Sequence, residues 1–265
     1  MHNFLCIRPY KQEDTPYCKE LAEKSVMSSL NSIYSNLMMT SLRYQILFTF
    51  FVSKLYWPNI SFPYCLIYPL IIAFAIYITL HVLAWELVQD FQKDLFDVTR
   101  NYNENGDKCF WVAVAYNYRP LNCFRPYLHY TWLTETELEK YNINLSDHDK
   151  KIVGFIGVNK NVRSNNSASV NGFLVHNDYA RKGIGTQLIK TALQFCDKKK
   201  YTRLNLQLFD LLTDAEILCK KLGFEYYDTQ SISFFPIFRK IKIYEYSCLT
   251  DFAKSTLHIN YSGIH

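Results

Sequence analysis

The chain has 265 residues, enough for one well-filled domain with an extra module and too few for two ordinary domains. Lys and Arg total 29 against 24 Asp and Glu, a formal charge of +5, and Lys198-Lys199-Lys200 is the densest run of like charge; nucleic acid is not an expected partner. The eight cysteines (Cys6, Cys18, Cys65, Cys109, Cys123, Cys196, Cys219, Cys248) form no CxxC pair and have no histidine at metal spacing, so no metal is expected and they read as small buried hydrophobes in a reducing compartment.

Met1 to Asp14 has neither an apolar core nor a small-residue cleavage site, so no secretory leader is read there. Leu5 to Pro9 is a short strand. Asp14 is placed to cap a helix with Pro16 in its first turn, and Cys18, Leu21, Ala22, Val26 and Leu30 recur at helical spacing. An apolar insert follows. Leu42 to Trp57 is interrupted by charge only at Arg43 and Lys54, and Leu55 to Trp85 holds no Asp, Glu, Lys or Arg at all. About 20 apolar residues suffice for a helix to cross the ~30 Å hydrocarbon layer, so the expectation is a membrane-associated segment with Tyr56, Trp57, Tyr64 and Trp85 at its interfaces. The alternative is a hydrophobic core helix. Pro58 to Pro63 is a turn between the two apolar runs.

Beyond the insert, Phe96 to Tyr102 extends a helix and Cys109 to Tyr116 is a buried strand. Asn117 to Lys150 is a polar, proline-interrupted excursion with a helix near Thr134 to Lys140. Lys151 to Asn159 and Ser169 to Val175 are further strands, and Leu204 to Leu208 alternates as a half-buried one. Thr213-Asp214-Ala215-Glu216 has the form of a capping box for a helix that ends at Gly223. Lys240 to Tyr246 is strand-like, and Thr250 to His265 reads as a tail. Strands alternating with helices make the class α/β or mixed α+β.

Gly183-Ile184-Gly185 opens a helix whose apolar stripe is Ile184, Leu188, Ile189, Ala192, Leu193 and Cys196. A strand running through a glycine turn into a helix leaves backbone N–H groups unpaired, and with the helix dipole these attract phosphate oxygens. Arg181 and Lys182 add charge there and Thr186 a hydroxyl. An ordinary strand-to-helix turn is the bland alternative. A Walker loop is absent, and the dinucleotide fingerprint fails because Leu188 stands where its last glycine belongs.

The run Ala180-Arg181-Lys182-Gly183-Ile184-Gly185 resembles the acetyl-CoA loop of GNAT acetyltransferases, written Q/R-x-x-G-x-G/A, and its setting FLVHNDYARKGIGTQLIKTAL, then LCKKLGFEYYD, is similar in order and spacing. IRPYKQEDTPYCKEL, the insert, and DLFDVTRNYNENGDKCFWVAV look like the membrane-bound camello-like, cysteine-S-conjugate N-acetyltransferase group. The resemblance implies a GNAT fold, a central mixed sheet flanked by helices, made from residues 1–40 and 90–248, with a membrane helical hairpin over 41–89 and a tail over 249–265.

It also implies that Phe173, Leu174 and Val175 form a splayed edge for the pantetheine arm, and that the amides from Arg181 through Lys182, Gly183, Ile184 and Gly185 to Thr186 hold the pyrophosphate. A primary amine, either of a cysteine S-conjugate or of a protein lysine, then attacks the thioester directly. The sequence departs from the family pattern in three places. Ala180 replaces Gln or Arg, Cys219 stands where a proton-donating tyrosine is common, and no carboxylate on Ser169 to Val175 offers a base. Cys219 as acid and His176 as base are the catalytic candidates, against a buried structural cysteine and an exposed loop histidine. If Leu5 to Pro9 and Cys109 to Tyr116 share a sheet, both ends of the insert emerge on one side of an endoplasmic-reticulum or related membrane, as a hairpin or re-entrant element. A non-catalytic GNAT-fold module that binds CoA or a partner protein is the alternative reading.

Overall fold

The computed structural model describes residues 3–56, 70–71, 73–82, 85–86, 89, 108–118, 130–140, 148–161, 166–209, 213–232 and 241–251. The sequence-predicted turn Pro58 to Pro63, the helix Phe96 to Tyr102 and the distal tail lie outside them.

Among the described residues eight strands make one sheet: β1 (Asn3–Pro9), β2 (Lys108–Tyr118), β3 (Tyr130–Trp132), β4 (His148–Lys160), β5 (Ser167–Val175), β6 (Arg203–Phe209), β7 (Glu225–Ile232) and β8 (Ile241–Leu249). Their spatial order is β3-β1-β2-β4-β5-β6-β8-β7. The β1–β3 and β5–β6 neighbours are parallel and the others antiparallel, so the sheet is mixed. Leu5 to Pro9 and Cys109 to Tyr116 do pair, with Leu5 opposite Ala115 and Pro9 opposite Trp111.

Helices cover both faces. Strand β2 explains why CFWVAVAY reads as an unbroken apolar run: Val112 and Val114 face a core with Cys18, Leu21 and Ala22, whereas Ala113 and Ala115 face the opposite core. The first core belongs to helix α1 (Thr15–Tyr56). The second holds Ile184, Leu188, Ile189 and Ala192 of helix α3 (Ile184–Lys198), with Cys219 of helix α4 (Thr213–Lys221). Helix α2 is the short Glu135–Lys140.

Helix α1 is the main departure from the sequence reading. It runs 42 residues without a break, through the boundary expected near residue 40, because Thr15 to Tyr56 contains no glycine and its only proline is at the second position, where a missing N–H costs nothing. Asp14 does not cap it in the expected way. Its carboxylate instead takes two bonds of 2.7 Å from the Arg8 guanidinium and one of 2.9 Å from the Lys11 amide. Residues 73–82 are also helical, and Tyr34 of α1 reaches them, its hydroxyl 3.4 Å from the Ala73 carbonyl and its ring 5.4 Å from that of Tyr77. Among the described residues no helix is long and apolar enough to cross a membrane; Ser41, Arg43, Gln45, Ser53 and Lys54 dilute the apolar half of α1.

The excursion is more ordered than its composition suggests. Tyr130–Trp132 joins the sheet beside β1, and His148 to Lys150 belongs to β4. Strand β7, unread in the sequence, forms the other sheet edge; its exposed Tyr226 and Tyr227 obscure the alternation. Thr250 is not tail. It is buried, its hydroxyl donates to the Tyr201 carbonyl at 2.6 Å and its amide to that of Thr202 at 3.1 Å.

Candidate functional site

The pairing of β5 with its parallel neighbour β6 lasts three residues, Ser167 to Ser169 against Arg203 to Asn205, and then ends. On its other side β5 stays zipped to β4, with Ile156 opposite Phe173, Phe155 opposite Leu174 and Gly154 opposite Val175. Past Ser169 the β6-facing edge of β5 therefore has no ladder partner among the described residues, and the two strands part where Phe173, Leu174 and Val175 lie. The side chains divide between the faces: Leu174 packs on the α1 side, Phe173 and Val175 on the α3 side. What faces the gap is backbone, which suits an extended amide-bearing chain hydrogen-bonded like an added strand.

From the end of β5 the chain passes through His176, a 3-10 turn (Asn177–Tyr179) and the loop Ala180 to Gly183 into α3. The amides of Tyr179 and Ala180 are spent on the His176 and Asn177 carbonyls, and the first intrahelical donor is Gln187, to Gly183. Between them, the six amides from Arg181 to Thr186 donate to nothing among the described residues. Arg181 (φ 63°) and Gly183 (φ 81°) are both left-handed, the kind of backbone that gathers successive N–H groups into a concave anion-binding nest. The two glycines have different jobs. Gly183 supplies a conformation that other residues adopt at a cost. Gly185 permits close packing, since a Cβ there would sit 2.9 Å from Leu218 Cδ2 and 3.2 Å from Phe173 Cζ. It locks the start of α3 against α4 and β5.

The loop's cations are engaged elsewhere. Arg181 meets the Asp214 carboxylate at 2.5 Å, an exposed pair that contributes little to stability. The Lys182 ammonium donates to the Asp178 carbonyl at 3.1 Å and lies 4.4 and 4.7 Å from the ring centres of Tyr179 and Tyr130. The hydroxyl of Thr186, half-buried, has no partner among the described residues.

The two catalytic candidates sit in settings that explain why their chemistry is constrained. Cys219 is fully buried in the α3-side core, and burial, with Cys248 and Glu216 nearby, pushes its thiol up to about 12. Passing a proton from it to a departing thiolate of ordinary pKa, about 8.5, is uphill. His176 follows β5 directly, its amide bonded to the Val153 carbonyl at 2.8 Å. Its Nδ1 accepts from the Asp178 amide at 3.2 Å, so in the neutral ring the proton sits on Nε2 and the basic lone pair is already occupied. Burial, then Lys151, holds its pKa below the ordinary imidazole value. No contact among the described residues joins His176 to Cys219.

Cys6, Cys18 and Cys196 share the fate of Cys219: burial pushes their thiols up to about 11, 12 and 12. The expected outcome of alkylating the native protein at pH 7.5, read by peptide mass spectrometry, is no label on these four cysteines and full label after denaturation. Labelling of native Cys219 at the rate of a free thiol would contradict this placement.

A family description, "Acetyltransferase (GNAT) family", matches residues 115–224, which run from within β2 to just past α4 and include the whole loop. The chain is also similar to solved structures. A GNAT-family acetyltransferase from Staphylococcus aureus Mu50 is 14% identical with a TM-score of 0.44, covering 92% of this chain and 98% of that one. A Bacillus anthracis str. Ames protein assigned as a streptothricin acetyltransferase, crystallised with acetyl coenzyme A, is 16% identical with a TM-score of 0.40, covering 58% and 68%. A GNAT-family acetyltransferase from Streptococcus pneumoniae is 15% identical with a TM-score of 0.37, covering 61% and 76%. No curated protein sequence matches.

Proposed function

We propose, for a chain that carries an acetyl-CoA-dependent GNAT-family acetyltransferase domain over residues 115–224, that it moves the acetyl group to a primary amine by direct attack, at a site held against a membrane. The reading rests above all on the six open amides from Arg181 to Thr186 beside the parted strands β5 and β6. The diphosphate sits on those amides, the pantetheine arm lies along Phe173, Leu174 and Val175, and the thioester reaches the gap. The amine nitrogen attacks the carbonyl carbon, the C–S bond breaks, and backbone N–H groups steady the oxyanion. The amine loses its proton to water and the CoA thiolate regains one from water, because Cys219 is a poor acid here and His176 Nδ1 is committed. Cysteine S-conjugates and protein lysines are the acceptor classes proposed.

Purified full-length protein in detergent, given acetyl-CoA and a panel of such amines, should release free CoA thiol in step with amide formation. Cys219→Ala and His176→Gln should each keep kcat within about threefold of wild type; a loss of a hundredfold or more in either, at unchanged CoA affinity, would return that residue to the chemistry. A second reading, a CoA-binding module without turnover, is favoured by the absence of a carboxylate on Ser169 to Val175. Tight CoA binding with no acceptor turned over would select it.

The membrane part is supported by apolar side chains that water would otherwise meet: Ile46, Leu47, Phe50 and Phe51 on α1, and Leu70, Ile71, Phe74, Ile78, Val82 and Trp85 after it, with Leu47 66% and Phe74 64% exposed. Tyr34 of α1 touches the helical residues that follow the first apolar run, through the Ala73 carbonyl and the Tyr77 ring, so the two arms lie side by side there. We read the segment 41–89 as a hairpin or re-entrant element held at an endoplasmic-reticulum or related membrane, with residues 1–40 and 110–248 on one face. Glycosylation reporters that put residues 1–40 and 110–248 on opposite faces, or release of the protein by carbonate washing, would overturn this.

A further inference from the structure

We infer that Trp132, contributed by β3 from outside the glycine loop, is a further ligand of the coenzyme A diphosphate; this rests on the coenzyme A reading of the loop. Among the described residues, apart from its chain neighbours Lys182 and Ile184, a Cβ added at Gly183 would have one atom within 4 Å, the Trp132 indole nitrogen Nε1, at 4.0 Å. What those residues present to the space beside the left-handed glycine is therefore a hydrogen-bond donor. An indole N–H can only donate, and no acceptor among the described residues takes this one. A phosphate oxygen occupying that space lies between the loop amides and the indole.

The strand that carries Trp132 is fastened to β1 and, through Tyr130 and Asn117, to the turn that precedes the loop. Trp132 pairs with Leu5, and the Leu133 amide donates to the Leu5 carbonyl at 3.0 Å. The Tyr130 hydroxyl donates to Asn117 Oδ1 at 2.8 Å, and Asn117 Nδ2 donates to the Tyr179 hydroxyl at 2.9 Å. Lys182 closes the arrangement between the Tyr130 and Tyr179 rings. Holding the indole in place before the ligand arrives removes an ordering cost from binding. With Arg181 drawn to Asp214 and Lys182 to the rings, neutral N–H groups carry most of the recognition, so one more of them counts. Strand β3 is thereby part of the cofactor site.

Trp132→Phe keeps the ring and deletes the donor. In the full-length protein in detergent, calorimetry should show CoA binding about tenfold weaker, the scale of one hydrogen bond to a charged group, with the melting temperature unchanged. Pantetheine, which lacks the diphosphate, should bind both proteins alike in competition with CoA. Equal CoA affinity in the variant, or an equal loss for pantetheine, overturns the proposal while leaving the loop assignment intact. Failure of the wild-type protein to bind CoA at all is the separate failure of the coenzyme A reading. Should Trp132→Phe not fold, the wild-type indole N–H resonance gives the answer: CoA shifts it and pantetheine does not, and an unmoved resonance overturns the proposal.

Discussion

Gly183→Val should leave the protein folded and its coenzyme A binding at least a hundredfold weaker. Gly183 sits at φ 81°, where a side chain costs about 1–3 kcal/mol and a β-branched one is least tolerated. The chain can relieve that strain only by turning the peptides of Lys182 and Ile184, which re-aims the amides that the ligand needs. Hydrogen bonds to a charged group contribute about 1.5–3 kcal/mol each, and every 1.4 kcal/mol is about tenfold in affinity, so misdirecting two of them accounts for the loss. The new side chain would also enter the space toward which the Trp132 indole nitrogen reaches, 4.0 Å from an added Cβ. Stability should fall by no more than that strain, about 1–3 kcal/mol, because no core contact among the described residues is disturbed. Gly183→Asn is the matched control: asparagine tolerates the left-handed region, so its loss should be several-fold smaller. Calorimetric titration of CoA into the three proteins tests this, and a Gly183→Val dissociation constant within threefold of wild type would move the diphosphate away from the loop.

That experiment bears on a candidate site whose local elements, though not its ligand, were legible in the sequence. The glycines, the apolar stripe from Ile184 to Cys196 and the alternation of Leu204 to Leu208 are local patterns, and they lie where the loop, α3 and β6 form. Less legible were features set by distant partners. Trp132 lies far from Gly183 in sequence and meets it only because Tyr130–Trp132 pairs with β1, a three-residue strand too short for periodicity to reveal. The different duties of Gly183 and Gly185 depend on a backbone angle and on Leu218, neither of which spacing encodes. His176 looked suited to base chemistry by type and position, and only its bond from the Asp178 amide shows the lone pair spent. The same holds for Asp14, whose residue type and position before Pro16 signal a helix cap, while its actual partner is an arginine on the preceding strand.

Asp14→Ala is accordingly the second large effect, on stability in place of binding. Arg8 and Asp14 form a two-bond pair with side chains only 4% and 2% exposed, joining β1 to the start of α1. The Lys11 amide also relies on this carboxylate. Deleting the acid leaves a guanidinium buried with no opposing charge from Asp14, and breaking such a pair typically costs about 3–5 kcal/mol. At about 2–4 °C per kcal/mol for a domain of this size, the melting temperature should fall by roughly 6–20 °C. The pair itself is not a large net gain, since removing both charges from water offsets most of their attraction. An Arg8→Met, Asp14→Leu double variant should therefore recover most of the loss, which a simple contact-counting view does not predict. Because α1 leads from this junction into the apolar segment, Asp14→Ala should also loosen the hold of the sheet on that segment, seen as faster amide exchange from Cys18 to Ala22. A melting temperature within 2 °C of wild type for Asp14→Ala would mean that the Arg8 charge finds water or another acceptor, and that the junction is held by the packing of Cys18, Leu21 and Ala22 alone.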